Sequence, residues 1–416
     1  MSYQRIVTPK VYIDNLSWLL SSGHISSSDL TSSGLNFASG YSATELFDMK
    51  PSNLQIITAN GLSTPFELRI NTRTATNSEQ DSNFIAILGH NFKEAGAKFS
   101  LQIDDDSAFG SPDANTTTAL TDVVNADALS IVDTGTNLAE DLTTSETDVS
   151  VESGHGSRFS TGDILQFETT EGNLETVYVT AVNTDVLTVV RGFNGSTQRE
   201  FDSGDDIYFY GYTRPAQNGW TLATFTQTSD NQYIRLLIDP DGGNTDTFSS
   251  DIKIGAILVG ETYSLPQAPD LEIEKQFLFD GVKKQTSVGG QTYATSTYTK
   301  GSNWFLEPFF NSATATSPDK RHKSGRLSLD MSFSYLADTN LYPSNLHGGS
   351  NATSDSFFNN VISKTNGGMF PMLFQYDGST ATDVDSFLWC RLANNPSFEQ
   401  VAINIWNTSM SLIEEF

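Results

Sequence analysis

The chain has 416 residues, 37% of them hydrophobic, with 23 Lys and Arg against 50 Asp and Glu for a net charge of −27. One hydrophobic core stops growing above roughly 250–300 residues, so two or three domains are expected, and the apolar content is well above that of a disordered chain. The acidic excess disfavours nucleic-acid and anionic-membrane binding, a solitary Cys390 rules out an internal disulfide framework, and five scattered histidines give little basis for a zinc site.

From its start, MSYQRIVTPK lacks the apolar centre of a secretory signal, and runs such as FIAIL (84–88) are too short to span a bilayer. The product is therefore expected to stay in the cytoplasm until it assembles or is released. YIDNLSWLLSSG (12–23) predicts an amphipathic helix stopped at Gly23, and ATELFDM (43–49) predicts one or two helical turns before Pro51. Together they form an N-terminal arm over residues 1–50. LQIITANG (54–61), FELRIN (66–71), NFIAILGHNF (83–92) and AKFSLQID (97–104) read as strands, because Val, Ile, Thr and aromatic residues alternate between turn clusters. Residues 111–146 are polar and weakly patterned, which predicts a surface loop or linker with one or two marginal strands.

From residue 147 the pattern is regular again. GDILQFETTEGNLETVYVTAV, DVLTVVRGFNGSTQREFDSGDDIYFYGY and their tight turns at Gly172-Asn173 and Asn194-Gly195 predict a small all-β module over 147–212. GWTLATF (219–225), QYIRLLID (232–239) and IKIGAILVG (252–260) resume the earlier style, so the module is read as an insertion. The fold expected is mainly β. It comprises a jelly-roll sandwich from 51–146 and 213–268, an inserted small β-meander or barrel over 147–212, and a C-terminal β-sandwich-like domain over 269–416 with few helices. Strands in that last part are expected near 292–310, 325–336, 370–376, 386–392 and 400–413, with a helix at SFFNNVISK (356–364).

Three stretches carry a family likeness. The pairing of NFIAILGHNF and AKFSLQID with WTLATF, QYIRLLID and IKIGAILVG resembles the galactose-binding-like jelly rolls of tailed-bacteriophage virion proteins. The meander from GDILQFE to GDDI is similar to a small β module inserted in phage tail and fibre proteins, through its Gly-Asp, Val-Thr-Ala-Val and Leu-Thr-Val-x-Arg-Gly-x-Asn-Gly-Ser elements. The closing INIWNTSMSLIEEF is similar in style to tail-tube-like sandwiches. The resemblance implies a structural component of a phage particle, in tail or baseplate rather than shell.

Candidate chemistry is sparse. No G-x-S-x-G signature is present, and Cys390 in the apolar FLWCRL reads as a small buried side chain rather than a thiolate. His90 ends a strand and could face a ligand; the reading preferred is a histidine that bonds the loop backbone. Asp104-Asp105-Asp106 and the run from Asp239 through Asp241 to Asp246 offer oxygens that suit Ca²⁺, but without EF-hand spacing they read first as turns, so no cofactor is assigned and structural calcium stays as the alternative. Trp220, Tyr233, Tyr208 and Tyr210 are the aromatic candidates for a host-surface glycan, with packing preferred. Lys320-Arg321-His322-Lys323 with Arg326 forms a basic island in an acidic chain, either a solvated hairpin tip or a contact for an acidic patch on a neighbouring copy or tail protein. Arg191 in RGFNG is expected to bond loop carbonyls.

The function expected is non-enzymatic: a virion tail or baseplate building block whose copies pack in a ring, with neighbouring tail or baseplate proteins as further partners. Residues 270–416 are expected to carry most of that contact through Trp304, Phe305, Phe309, Phe310, Phe333, Phe357 and Phe358. A carbohydrate-binding adhesin and a head decoration or neck protein are the alternatives, and a depolymerase ranks last, since no segment marks a paired-carboxylate cleft.

Overall fold

The computed structural model describes residues 7–63, 65–72, 82–112, 114–115, 120–125, 130–225, 232–240, 247–278, 282–296, 326–341, 356–379 and 386–415. The protein is mainly β, and every strand ladder among these residues is antiparallel. Expected strands and observed ones agree in kind along most of the chain.

An eleven-stranded sheet is the frame. Its path runs Glu274–Leu278, Arg326–Ala337, Ile405–Glu414, Phe387–Leu392, Met372–Gln375, Lys10–Asp14, Ala256–Ser264, Phe84–His90, Gly219–Phe225 and Leu120–Val124, with Phe398–Ala402 paired beside Ile405–Glu414. Apart from one hairpin, the described C-terminal strands thus share a sheet with the sandwich strands. The joint is Lys10–Asp14, which lies between Ala256–Ser264 and Met372–Gln375. Residues 12–14, where the sequence predicts the start of a helix, form a strand instead. The alternation of Val11 and Ile13 on one face with Tyr12 on the other makes them a strand buried on both faces, and the helix begins only at Asn15. Asp14 marks that change by accepting the N–H groups of Leu16 (3.1 Å) and Ser17 (3.2 Å), as an N-cap does. Gly260 lies opposite Asp14, and a Cβ there would stand 1.9 Å from the Ile13 carbonyl oxygen, so only glycine lets the two strands meet.

A five-stranded sheet, in the order Leu30–Ser33, Phe66–Asn71, Tyr233–Pro240, Ala97–Asp104 and Ala114–Asn115, faces one end of the frame and completes a sandwich. Between them lie Phe66, Leu68, Ile70, Phe99, Leu101, Ile103, Ile234, Leu236 and Ile238 from the smaller sheet and Ile85, Ile87, Ala223, Ile257 and Val259 from the larger. Along the same face of the frame, Val11, Ile13, Met331, Phe374, Cys390 and Leu412 build a second core. The opposite face carries an aromatic cluster, in which Tyr12 meets Phe84 edge-on at 5.3 Å and Trp220 tilts against Phe387 at 5.0 Å.

The module is a six-stranded sheet in the order Asp148–Ser150, Val186–Val190, Leu174–Asn183, Ile164–Glu168, Asp206–Tyr212 and Ser130–Asn137, with its own core. Its first strand comes from the stretch read as a linker, so the sheet spans 130–212 and begins before residue 147. The meander does not close into a barrel: between its ends only the isolated Leu138–Val151 bridge forms, where closure would need a ladder. The helix expected at SFFNNVISK forms as a short π-helix over Phe358–Ser363. Val282–Thr286 and Thr292–Ser296 pair with each other as a separate two-stranded hairpin.

Candidate interaction surfaces and a buried polar seam

Alternation in AKFSLQID and YIRLLIDP sends apolar side chains into the sandwich and Lys98, Ser100, Gln102, Asp104, Arg235 and Asp239 to the outer face of the five-stranded sheet. That face is not solvated. Lys98 is 1% and Arg235 0% exposed, because the module packs over them. The Lys98 ammonium sits 2.9 Å from Asp239, donates to the Pro240 carbonyl at 2.6 Å, and lies 4.5 Å and 4.7 Å from the ring centroids of Phe209 and Tyr212. Arg235 donates to Gln102 Oε1 and, at 2.6 Å, to the Tyr178 hydroxyl, while its guanidinium lies 4.4 Å from the Phe109 ring centroid. Gln102 in turn donates to the Gly162 carbonyl at 2.6 Å. A Cβ on Gly162, whose φ is +104°, would stand 2.8 Å from the Arg235 guanidinium, so glycine is required both for space and for backbone conformation.

The electrostatics follow from burial. Asp163 accepts from the Tyr212 hydroxyl at 2.6 Å, and burial, followed by the nearby Asp239, holds its carboxyl well above the usual range. Burial likewise raises Asp239, against the opposing pull of Lys98, and pushes the Tyr212 phenol well up. These groups are engaged with one another and closed to solvent, so what the arrangement does is fix the module in one orientation on the sandwich. Inside the module, Arg191 and Glu175 form a second buried pair (2.7 and 2.8 Å), and Arg191 also bonds the Thr143, Glu146 and Arg199 carbonyls, as expected of it.

The residues singled out in the sequence do not gather at one place. His90 is 0% exposed; its Nδ1 accepts the Phe92 N–H (3.3 Å), its Nε2 bonds Thr221 Oγ1 (2.9 Å), and burial pushes its pKa down to about 3. It thus takes the loop-bonding role, among interior neighbours. Trp220 is buried in the aromatic cluster, Tyr233 is half-buried at the start of its strand, and Tyr208 and Tyr210 are half-buried on the module. Arg326 opens the strand beside Leu278, half-buried, whereas Lys320, Arg321, His322 and Lys323 lie outside the described residues. Cys390 is buried, and burial raises its thiol well above the ordinary range. Asp106 caps Ala108, and Asp104 lies on the covered face; Asp241 and Asp246 are outside the described residues. No group of three or more metal-ligating His, Cys, Asp or Glu side chains forms among the described residues. No described helix is long and apolar enough to cross a membrane.

Exposed apolar side chains concentrate instead after residue 270. Of the thirteen large ones among the described residues, nine lie there, including Phe277 (64% exposed), Tyr335 (78%) and Ile403 (88%). Phe333 and Phe357, expected at an interface, serve the core, Phe358 is exposed, and Trp304, Phe305, Phe309 and Phe310 lie outside the described residues. Sequence reasoning missed the seam and Phe277, Tyr335 and Ile403. The only available signal was alternation, which marks the seam as outward but not as covered. No protein-family model matches the chain, and no curated protein matches it.

Proposed function

We propose that the chain is a non-enzymatic structural component of a tailed-phage virion, a tail or baseplate protein whose copies assemble as a ring. The observation that carries this reading is the open apolar surface after residue 270: side chains such as Phe277, Tyr335 and Ile403 are left uncovered, while Met331, Phe333 and Met410 of the same part are buried in a core. Exposed apolar area of this kind, together with the strand edge at Glu274–Leu278 that no other described strand pairs, favours burial against a neighbouring polypeptide. The motif resemblances of the sandwich and of the inserted module supply the phage assignment. A permanent ring contact typically buries upwards of ~2,000 Å². Light scattering of the purified chain over a range of concentrations is expected to give a fixed multiple of the monomer mass, and immunogold labelling is expected to mark purified particles. A monomer at every concentration, with no labelling, overturns the reading.

A further inference from the structure

We propose that the two ends of the molecule carry complementary charged surfaces through which copies of the chain join head to tail, the basic hairpin end of one on the acidic module of the next. The inference rests on the assembly reading above and specifies which surfaces meet. Charge is segregated along the sequence: residues 275–326 hold eight Lys and Arg against three Asp and Glu, leaving fifteen against forty-seven in the remainder. A stretch of +5 therefore sits in a chain whose other residues total −32. The module, residues 130–212, holds fifteen acidic side chains and three basic ones, and of these Arg191 is already paired inside with Glu175.

Among the described residues the stretch contributes Lys275, Lys283, Lys284 and Arg326 and no acidic side chain, and the fold sets these cations and the module toward opposite ends of the large sheet. The module is entered from Leu120–Val124 and left into Gly219–Phe225, the last two strands of the eleven-stranded path, while Glu274–Leu278, which leads to the hairpin, is the first. Nine strand spacings of about 4.8 Å place the ends about 43 Å apart along the sheet, beyond the roughly 17 Å length of a five-residue hairpin strand. That spacing assigns the contact, within this proposal, to two copies instead of to one chain. On the module, Glu168 and Asp206 are cross-strand neighbours, and Tyr208 lies opposite Asp133 on the same outer face; the other face, with Phe167, Ile207 and Phe209, supplies the module core. Burial and then Asp206, Glu168 and Asp133 raise the Tyr208 phenol. On the hairpin, Lys283 and Lys284 are exposed beside Tyr293, and residues 282–296 contain no acidic side chain. A net charge of −27 does not forbid such a contact, because beyond about 8 Å at physiological salt exposed charges are screened and the facing patches decide. A contact between two different surfaces of one chain closes into a ring or runs on as a filament, according to its rotation.

Sedimentation of the full chain at low and high salt tests this, with the double variants K283E/K284E and E168K/D206K and a chain carrying all four reversals. Unchanged thermal melts report that the variants are folded. The expected result is association at low salt that weakens at least about tenfold at high salt, a loss of roughly 30-fold or more in either double variant, and recovery in the fourfold variant, where the charges match again. Double variants that associate like the parent, or a fourfold variant that does not recover, overturn the surface assignment and leave the ring reading standing. Binding of the basic end to a different acidic protein without self-association overturns the second-copy assignment. A chain that stays monomeric yet labels purified particles overturns the inference while the virion reading survives.

Discussion

Two regions of the molecule invert the usual distribution of polarity. At the seam between sandwich and module, Lys98, Gln102, Arg235, Asp163 and Asp239 are buried; at the far end of the frame, Phe277, Tyr335 and Ile403 stand in solvent. The difference lies in what each can hold. A buried charge is tolerated only where every partner is placed, so the seam fixes one relative orientation within the chain. An exposed apolar group gains free energy from almost any complementary cover, so the other end is suited to contact between chains. The protein thus uses directional interactions inside itself and leaves non-directional ones outside.

The largest expected effect is at the seam. Arg235→Ala removes the donor to Gln102 and Tyr178 and the cation over Phe109, and it leaves those acceptors buried beside Glu67, 3.6 Å from the lost guanidinium. Removing one partner of a buried charged network costs about 3–5 kcal/mol, and denaturant titration should register that loss. A loss below about 1 kcal/mol would mean that the module rests on the sandwich through its apolar contacts alone.

The seam should also respond to pH, with a sign set by Asp163. Its carboxyl is held above the ordinary 3.8, so the folded chain keeps a proton that the unfolded chain releases as pH rises past that value. The folded state then binds more protons, and stability falls with rising pH through the raised pKa. In Asp163→Asn this dependence is absent. Relative to the parent, the variant should gain on the order of 1–3 kcal/mol between pH 4 and pH 8, read from melts at both values. His90 acts oppositely: neutral in the fold down to about pH 3, it withdraws stability as pH falls below 6.5. The comparison of variant with parent removes that background.

How much of this was legible depended on the range of the contact involved. Alternation in AKFSLQID and YIRLLID identifies Phe99, Leu101, Ile103, Leu236 and Ile238 as inward from the residues alone. The same alternation marks Lys98, Gln102 and Arg235 as outward, and there it misleads, because their cover comes from Tyr178, Tyr212 and Gly162 in a module inserted far along the chain. Short apolar pieces were ambiguous in another way. Val11-Tyr12-Ile13 fits one helical turn as well as a strand, and only its neighbours, Ala256–Ser264 and Met372–Gln375, decide the matter. Ser130–Asn137 is polar enough to read as linker, and pairing with Asp206–Tyr212 makes it a strand. Of the candidate site residues, His90 and Arg191 took the loop-bonding roles their local context suggested: His90 bonds Phe92 and the adjoining strand's Thr221, and Arg191 bonds loop carbonyls within its own module.

The smallest expected effect on stability belongs to the open end, and its smallness is informative. Phe277 and Ile403 are mostly in solvent, so Phe277→Ser with Ile403→Ser removes little apolar area that the fold has buried. Surface substitutions of this kind usually stay within about 0.5 kcal/mol, so the melt of the double variant should match the parent. Self-association should nonetheless weaken, because the same side chains are what a neighbour would cover. If the melt falls sharply instead, these residues belong to a core of this chain, and the contrast between a polar interior seam and an apolar exterior surface dissolves. If the melt holds and association is unchanged, contact between copies is carried by other surfaces, and the charged ends alone would have to supply it.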